Sequence, residues 1–377
     1  MSVLIAVDKF KGSLTQSQIS KVVAEFLSAQ GVESTTIPLA DGGDGSIAAL
    51  ISLGWQPKTI KVTGPLDNEH DADYAISPDG KRVAIEVAEL CGIRYLRGKT
   101  NPWQASSAAI GEAIKAVKPA NYDELLVCIG GSASVDGGIG ILQTLGISVF
   151  DFKHKSVSNG LHGLQETVGV DFESVDFVKS NLFGSCKITI LSDTKNALLG
   201  RNGAIFAFGK QKGLNLLGLL RAEIAMRRWF KICQSNFPQI RPNTEGTGGA
   251  GGIGFIFKTF FDAQVTSGAE FFLAHSNAEA KIRPASLLIT GEGRIDKTTL
   301  SGKGLHPLLE LAQKHKVPVV LICGSAESAT MRKIKSNFPI IGVVSLAESG
   351  LEMSHLMRNA SQVLKQELSR KYLKDWK

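Results

Sequence analysis

Glycine and carboxylate residues occur together in several short clusters of this chain. The run Asp-Gly-Gly-Asp-Gly at residues 41–45 places two carboxylates three residues apart, which suits Mg²⁺ because this ion prefers oxygen ligands. Residues 130–138 repeat the pattern and add the hydroxyl groups of Ser132 and Ser134, which can donate to a phosphate or a carboxylate. An acidic turn is the alternative for each cluster alone. Together they predict a site for phosphoryl transfer, which requires backbone donors, carboxylates for magnesium and a base for the attacking hydroxyl.

Lysine residues accompany these clusters. Lys11 and Ser13 follow the first predicted strand, where the amides at the start of the next helix can hold an anion. Lys212 lies in the glycine-flanked segment 209–213, and Lys303 follows the acidic cluster at residues 291–296. A lysine 4 Å from a phosphate charge contributes about 4 kcal/mol at an effective dielectric constant near 20, but only about 1 kcal/mol in bulk water. Their value for binding therefore depends on shielding from water.

The elements that must position these residues alternate between strand and helix at both chain ends, as in a doubly wound parallel sheet. Apolar runs predict strands there at about residues 3–7, 34–38, 286–290, 317–323 and 340–346. Residues 55–86 instead contain short alternating segments broken by prolines, which predict antiparallel strands. We therefore predict an α/β fold. One parallel-sheet domain is formed by both chain ends, residues 1–55 plus 284–377, and a large mixed α/β domain of residues 56–283 is inserted.

Composition excludes several classes of protein. The 377 residues are 43% hydrophobic and 20% charged, which is typical of a globular chain. Five cysteines without a C-x-x-C pair favour a reducing cytoplasm over a disulfide framework or zinc ribbon. The apolar N-terminal run is too short for a signal peptide or membrane span. The net charge of +7 is spread along the chain without a nucleic-acid-binding motif, so we expect phosphorylated metabolites rather than nucleic acid as partners.

At these clusters the chain resembles the bacterial type I glycerate kinases. That family carries, in order, D-x-F-K-G-S, A-D-G-G-E-G, G-G-S-A-T-N-D-G-G, F-G-P-Q-K-G, G-A-A-G-G and E-G-R-x-D. The matching residues of this chain are 8–13, 41–45, 130–138, 208–213, 249–254 and 291–296, and residues 193–196 also carry the resemblance. The resemblance covers almost the whole chain. It implies a flavodoxin-like domain made by both chain ends, dependence on ATP and Mg²⁺, and phosphorylation of D-glycerate at its 2-hydroxyl.

The resemblance also implies roles for individual residues. Asp193 is expected to be the base for the hydroxyl, with Lys11 and Asp296 as further catalytic residues. Asp41 and Asp296 are expected near Mg²⁺. The other residues expected to bind substrate or phosphate are Ser13, Gly42, Gly43, Gly131, Ser132, Ser134, Lys212 and Lys303.

The chain departs from the family pattern at two notable positions. Ala108 lies where the family commonly has an arginine, a side chain suited to a carboxylate or phosphate, and Val135 replaces the usual asparagine. Two alternatives follow from these losses. One is a kinase of the same fold for another small hydroxy acid, and the other is a catalytically silent paralogue that binds a metabolite. Either a monomer or a homodimer is compatible with the sequence.

Overall fold

A computed structural model describes residues 2–96, 98–300 and 304–375, with side chains as far as residue 371. Contacts within the chain define two compact units. We call Met1–Asp41 with Ala269–Lys377 the terminal unit, and Gly42–Gly268 the central unit. No helix among the described residues has the length and apolarity needed to cross a membrane.

The first elements of the chain belong to the terminal unit. They are β1 (Ser2–Val7), α1 (Gln16–Ala29) and β2 (Glu33–Thr36). Helix α1 begins at the N-cap Thr15, whose hydroxyl accepts from the backbone N–H of Gln18 while the Gln18 side chain accepts from the backbone N–H of Thr15. Its apolar residues recur at helical spacing and are buried, so α1 packs one face against the sheet.

The elements of the central unit follow in chain order. They are α2 (Ser46–Ser52), β3 (Gln56–Thr63), β4 (Glu69–Ile76), β5 (Arg82–Glu86), α3 (Val87–Cys91), α4 (Ala108–Val117), β6 (Glu124–Cys128), α5 (Ile139–Leu145), β7 (Val149–Phe150), α6 (Gly160–Glu166), β8 (Gly169–Val170), α7 (Glu173–Leu182), β9 (Lys187–Leu191), α8 (Ala204–Phe208), α9 (Leu216–Asn236), α10 (Ile253–Phe260) and β10 (Gln264–Thr266).

The remaining elements complete the chain. They are α11 (Gly268–His275), α12 (Ala278–Ile282), β11 (Leu287–Ile295), α13 (Leu305–Lys314), β12 (Val319–Ala326), α14 (Ser328–Asn337), β13 (Ile340–Ser345) and α15 (Met353–Asp375).

The terminal unit contains a five-stranded parallel sheet in the order β13-β12-β11-β1-β2. Numbered within this sheet, the order is 2-1-3-4-5 read from β2, which is the flavodoxin-like order. Alternate residues of β1 pack into two different cores, Val3 and Ile5 with residues of α1 and α15, and Leu4 with residues of α13. Both faces of the sheet are therefore covered by helices, and the predicted α/β class is confirmed.

The central unit contains a six-stranded mixed sheet in the order β10-β9-β6-β5-β4-β3. The pairs β3–β4 and β4–β5 are antiparallel, as the alternating segments predict, whereas β5, β6, β9 and β10 run parallel to one another. Its core is rich in aromatic side chains, including the fully buried Trp229 and Phe257. The carboxyl ends of β6 and β9 thus lie side by side, each followed by one of the glycine or carboxylate clusters.

Candidate functional site

A cavity of about 300 Å³ lies at the carboxyl ends of β1, β11 and β12 in the terminal unit. Its lining comes from the loop after β1, from the ends of β11 and β12, and from the start of α15. The sequence-predicted residues Lys11 and Ser13 both line it. The Ser13 hydroxyl donates to the carbonyl of Phe10 at 3.2 Å, which fixes the turn of this loop. The structure thus places two predicted phosphate-binding residues in one concave site.

Glu292 is a cavity residue that the sequence did not single out. Burial, together with the smaller effect of the charges of Asp8, Asp296 and Asp41, raises the pKa of Glu292 to about 7, against a hydrogen bond from Thr299. Its Oε1 is buried without a hydrogen-bond partner among the described residues. The sequence feature that could identify Glu292 is a carboxylate inside a glycine cluster at the end of a buried strand. At neutral pH this group can exchange a proton.

The other carboxylates of the terminal unit differ in their environments. Burial raises the pKa of Asp8, and Lys9, whose Nζ lies 3.9 Å from both Asp8 Oδ1 and Asp41 Oδ1, opposes this shift. Asp296 Oδ1 accepts from the hydroxyl of Thr298 at 2.7 Å and from its backbone N–H at 2.9 Å, and these bonds lower the pKa of Asp296. Asp296 therefore stays ionised at neutral pH, as a magnesium ligand must.

No group of three or more His, Cys, Asp or Glu side chains is arranged to bind a metal ion in residues 2–96, 98–300 and 304–375. Nucleotide-bound Mg²⁺ usually takes one or two carboxylates, with phosphate oxygens and water as the remaining ligands. The predicted pair Asp41 and Asp296 fits that smaller requirement, and both charges act on Glu292. Lys303, predicted to bind phosphate, lies outside the described residues.

The glycines of the central unit that are predicted to bind substrate or phosphate lie in closely packed backbone segments. A Cβ atom on Gly42 would lie 2.3 Å from the carbonyl oxygen of Leu191, the last residue of β9. A Cβ atom on Gly130 would lie 2.7 Å from Cα of Gly43, and one on Gly131 would lie 3.8 Å from Cβ of Asp44. The loop at residues 42–45 is therefore packed against the ends of β6 and β9, next to Asp193.

We expect Gly42→Ala to destabilise the protein by at least about 3 kcal/mol. Its φ is +79°, a left-handed conformation that costs an alanine about 1–2 kcal/mol, and the new Cβ would also overlap the Leu191 carbonyl. Gly45→Ala is the matched control, since Gly45 has φ +93° but no atom within 4 Å of the added Cβ. Urea unfolding of both variants separates the overlap from the strain. Equal losses would show that Gly42 does not need the close approach.

Glu86 binds the backbone where the loop at residues 42–45 enters α2, and the sequence did not single it out. Its Oε1 accepts from the backbone N–H of Gly45 at 3.0 Å, and its Oε2 accepts from that of Ile47 at 2.8 Å. The side chain is fully buried, and burial raises the pKa of Glu86 to about 7. These bonds satisfy two amides at the start of α2 that lack helical partners. The sequence signal was a glutamate ending a buried apolar strand.

We expect Glu86→Gln to flatten the pH dependence of stability between about pH 4.5 and 7. Because the pKa of Glu86 rises from 4.5 to about 7 on folding, the folded state keeps a proton that the unfolded chain has released. This contribution is complete below pH 4.5 and is lost as the pH rises through 7, at up to about 1.4 kcal/mol per pH unit. Urea unfolding at pH 5 and pH 7.5 measures it. A variant with the wild-type slope would contradict the raised pKa.

Asp136, within the glycine cluster at residues 130–138, is a buried structural carboxylate. Its Oδ2 accepts from the backbone N–H and the hydroxyl of Ser107, both at 2.8 Å, and its Oδ1 accepts from the backbone N–H of Gly138 at 3.1 Å. The neighbouring Val135 is fully buried in the central core. The replacement of the family's usual asparagine at this position therefore puts an apolar side chain into the core.

Lys212 lies inside the central unit with two of the predicted serines. Its Nζ donates to Ser132 Oγ at 2.8 Å and to the carbonyl oxygen of Ser134 at 2.6 Å, and only 2% of the residue is exposed. Burial lowers the pKa of the Lys212 ammonium to about 8. Ser132 Oγ in turn donates to the carbonyl of Ala250 at 2.9 Å. These contacts join the segments 130–138 and 246–254, while phosphate binding by the three residues stays a prediction.

Asp193 lies two residues beyond the last residue of β9 and is half-buried. Its Oδ1 accepts a hydrogen bond from the hydroxyl of Ser267 at 2.7 Å. Ser267 lies one residue beyond β10, which pairs with β9, so the parallel pairing of these strands places the two side chains together. The hydrogen bond from Ser267 thus orients the Asp193 carboxylate.

The chain is similar to known proteins over almost its whole length. The model of the glycerate kinase family matches residues 3–375. Glycerate 2-kinase of Escherichia coli K12 is 31% identical over 332 residues, covering 86% of this chain and 85% of that protein. Glycerate kinase of Halalkalibacterium halodurans is 28% identical over 370 residues, covering 96% of each. A crystal structure described as glycerate kinase 2 from Salmonella typhimurium LT2 superposes with a TM-score of 0.74 at 28% identity, covering 97% of this chain and 95% of that one.

Proposed function

This chain belongs to the glycerate kinase family, and from that premise we propose that it transfers the γ-phosphate of ATP to the 2-hydroxyl of D-glycerate. The observation that carries the proposal is the family match over residues 3–375. The choice of the 2-hydroxyl is supported by the Escherichia coli relative that is named glycerate 2-kinase. The products are then 2-phosphoglycerate and ADP.

We assign the base to Asp193. As the 2-hydroxyl oxygen forms its bond to the γ-phosphorus and the bond from that phosphorus to ADP breaks, the hydroxyl proton passes to the Asp193 carboxylate. The hydrogen bond from Ser267 orients Oδ1 and supports this role, because a base must be held within hydrogen-bond reach of the proton that it takes. Gly42, Gly43 and Gly131 lie beside the same strand ends, and we assign to them the backbone contacts with a bound acid or phosphate.

We assign the phosphate contacts of the terminal unit to Lys11 and Ser13, and the magnesium contacts to Asp41 and Asp296. Lys11 is exposed and lines the cavity, so its ammonium can reach a phosphate oxygen. Mg²⁺, when bound, neutralises charge on the phosphate groups. The bonds from Thr298 keep Asp296 ionised and hold its carboxylate in place for this purpose.

A second candidate is a kinase of this family for another small hydroxy acid. Ala108, at the start of α4, offers only a methyl group where the family commonly has an arginine. If the acceptor's carboxylate is normally bound by that arginine, the preferred acid of this chain can differ from glycerate. A panel of small hydroxy acids assayed with ATP distinguishes the two candidates, since a higher kcat/KM for a different acid would displace glycerate.

The experiment for the main proposal is identification of the product. Purified protein with ATP, Mg²⁺ and D-glycerate is followed by ³¹P NMR, with authentic 2- and 3-phosphoglycerate as standards. We expect a single new resonance that coincides with 2-phosphoglycerate. A resonance that coincides with 3-phosphoglycerate would contradict the assignment of the 2-hydroxyl while leaving the kinase activity in place.

We also propose a cytoplasmic location and small molecules alone as partners. All five cysteines are buried thiols rather than disulfides, which suits a reducing compartment that contains ATP. D-Glycerate and ATP are the proposed partners, without nucleic acid or membrane, and the protein is proposed to be a monomer or a homodimer.

A further inference from the structure

The cavity of the terminal unit lies where an open parallel sheet normally binds a ligand. In the order 2-1-3-4-5, β1 is followed by β2 on one side of the sheet, whereas β11 is followed by β12 on the other side. In open parallel sheets, ligands bind outside the carboxyl ends of the strands at the point between two such strands. The loop after β1 and the end of β11 both line the cavity. Its volume of about 300 Å³ is at the lower end of the range for small-molecule pockets.

One half of the cavity is polar and cationic. Lys9, Lys11 and Arg294 bring three positive charges to its lining, against the two acidic groups Asp8 and Glu292. The three cationic groups thus outnumber the two acidic groups in this half of the lining. The hydroxyl group of Ser325 is a further donor, while those of Ser13 and Thr298 donate to the carbonyl of Phe10 and to Asp296. This half is suited to the oxygens of phosphate groups.

The other half of the cavity is apolar. It is formed by Leu346, after β13, and by Met353, Leu356 and Met357 in the first turns of α15. Leu346 and Leu356 are buried, whereas Met353 is 61% exposed and Met357 is 39% exposed. Two flexible thioether side chains are thus available to a ligand on an apolar base. Methionine sulfur makes favourable contacts with aromatic rings.

Glycerate does not complement this apolar half. Each of its three carbons carries oxygen, so it has no apolar surface to place against four leucine and methionine side chains. A nucleobase has two apolar faces and lies next to a charged phosphate chain, which matches both halves. The halves are also adjacent, because a Cβ atom on Gly12 would lie only 2.9 Å from the Met357 methyl carbon.

We propose that this cavity is the nucleotide site, with the base against Met353 and Met357 and the phosphates towards Lys11 and Ser13. The inference rests on the proposed function, since ATP is its phosphate donor. It adds a base-binding surface at the start of α15 that none of the glycine and carboxylate clusters contains. Recognition of the base is mainly apolar, so an uncharged polar side chain at position 353 or 357 is enough to weaken nucleotide binding.

The test is the double variant Met353→Gln/Met357→Gln, which keeps side-chain length and net charge but removes the apolar contact. Binding of ADP and of inorganic tripolyphosphate is measured by calorimetry on the full chain. We expect the Kd for ADP to rise about tenfold and the Kd for tripolyphosphate to stay within twofold. Met353→Leu/Met357→Leu should keep the ADP affinity within about threefold. Ile224→Gln, at an exposed apolar position on α9, is the matched surface control and should change neither constant.

Two results would overturn the site while leaving the proposed function intact. One is an unchanged Kd for ADP in the double glutamine variant, and the other is a rise in the KM for D-glycerate with no change for ADP. In both cases D-glycerate-dependent ADP release by the wild type would still show a kinase. Absence of both ADP binding and ADP release in the wild type would instead contradict the proposed function itself, and the nucleotide site with it.

Discussion

Replacing Asp193 by asparagine is expected to lower kcat for D-glycerate-dependent ADP release by at least about 100-fold. A positioned general base commonly contributes about 10²–10⁴-fold, and an amide cannot accept the hydroxyl proton. Asparagine keeps the size of the side chain, and its amide oxygen can still accept from Ser267 Oγ, so the fold is expected to persist. Steady-state kinetics with saturating ATP measures the loss.

Two further variants give this prediction its controls. Asp71→Asn changes an exposed aspartate on β4 and should leave kcat unchanged. Ser267→Ala removes the hydrogen bond that orients Asp193, so kcat should fall severalfold and the acidic limb of its pH profile should shift, because the donor to the carboxylate is lost. If Asp193→Asn keeps more than half of the wild-type kcat, the base is a different residue.

A large effect on stability is also expected from Asp136→Asn, which should lower the free energy of unfolding by about 3 kcal/mol. Asp136 is fully buried and accepts three hydrogen bonds, two from Ser107 and one from Gly138. In the variant one oxygen becomes an amide that donates, so at least one buried N–H or hydroxyl loses its acceptor. Leaving buried polar groups unpaired costs about 1–3 kcal/mol each, and more for charge-assisted bonds.

Urea unfolding followed by circular dichroism measures this loss, with the slope against urea compared between variants. Asp71→Asn serves as the surface control and should stay within about 0.5 kcal/mol of wild type. A loss below about 1 kcal/mol for Asp136→Asn would mean that the amide satisfies the same donors, and the structural role assigned to this carboxylate would be wrong.

The fold was largely predictable because its signals are local. At both chain ends, apolar strands alternate with helices, and this order predicts the parallel sheet. The capping box at Thr15 marks the start of α1. The broken alternating segments predict the antiparallel strands β3 and β4. Strand order required the structure, since the pairing of β1 with β11 joins residues more than 280 positions apart.

The candidate site was less predictable because burial depends on distant packing. Glu86 was missed since its partners Gly45 and Ile47 lie 41 and 39 positions away in the sequence. Lys212 is predicted to bind phosphate because it lies between glycines, and its enclosure with Ser132, 80 positions away, could not be read from the sequence. Motif positions indicate which loops form a site, but they do not distinguish a side chain that faces a ligand from one that supports the loop.

Release of ADP by the purified protein with ATP, Mg²⁺ and D-glycerate is the most direct measurement of the central claim. L-Glycerate, glycerol and a reaction without acceptor are the controls. We predict strong release that depends on D-glycerate and is absent with glycerol, which lacks the carboxylate. Release that is equal with and without D-glycerate, or no release at all, would contradict the assignment of this chain as a D-glycerate kinase.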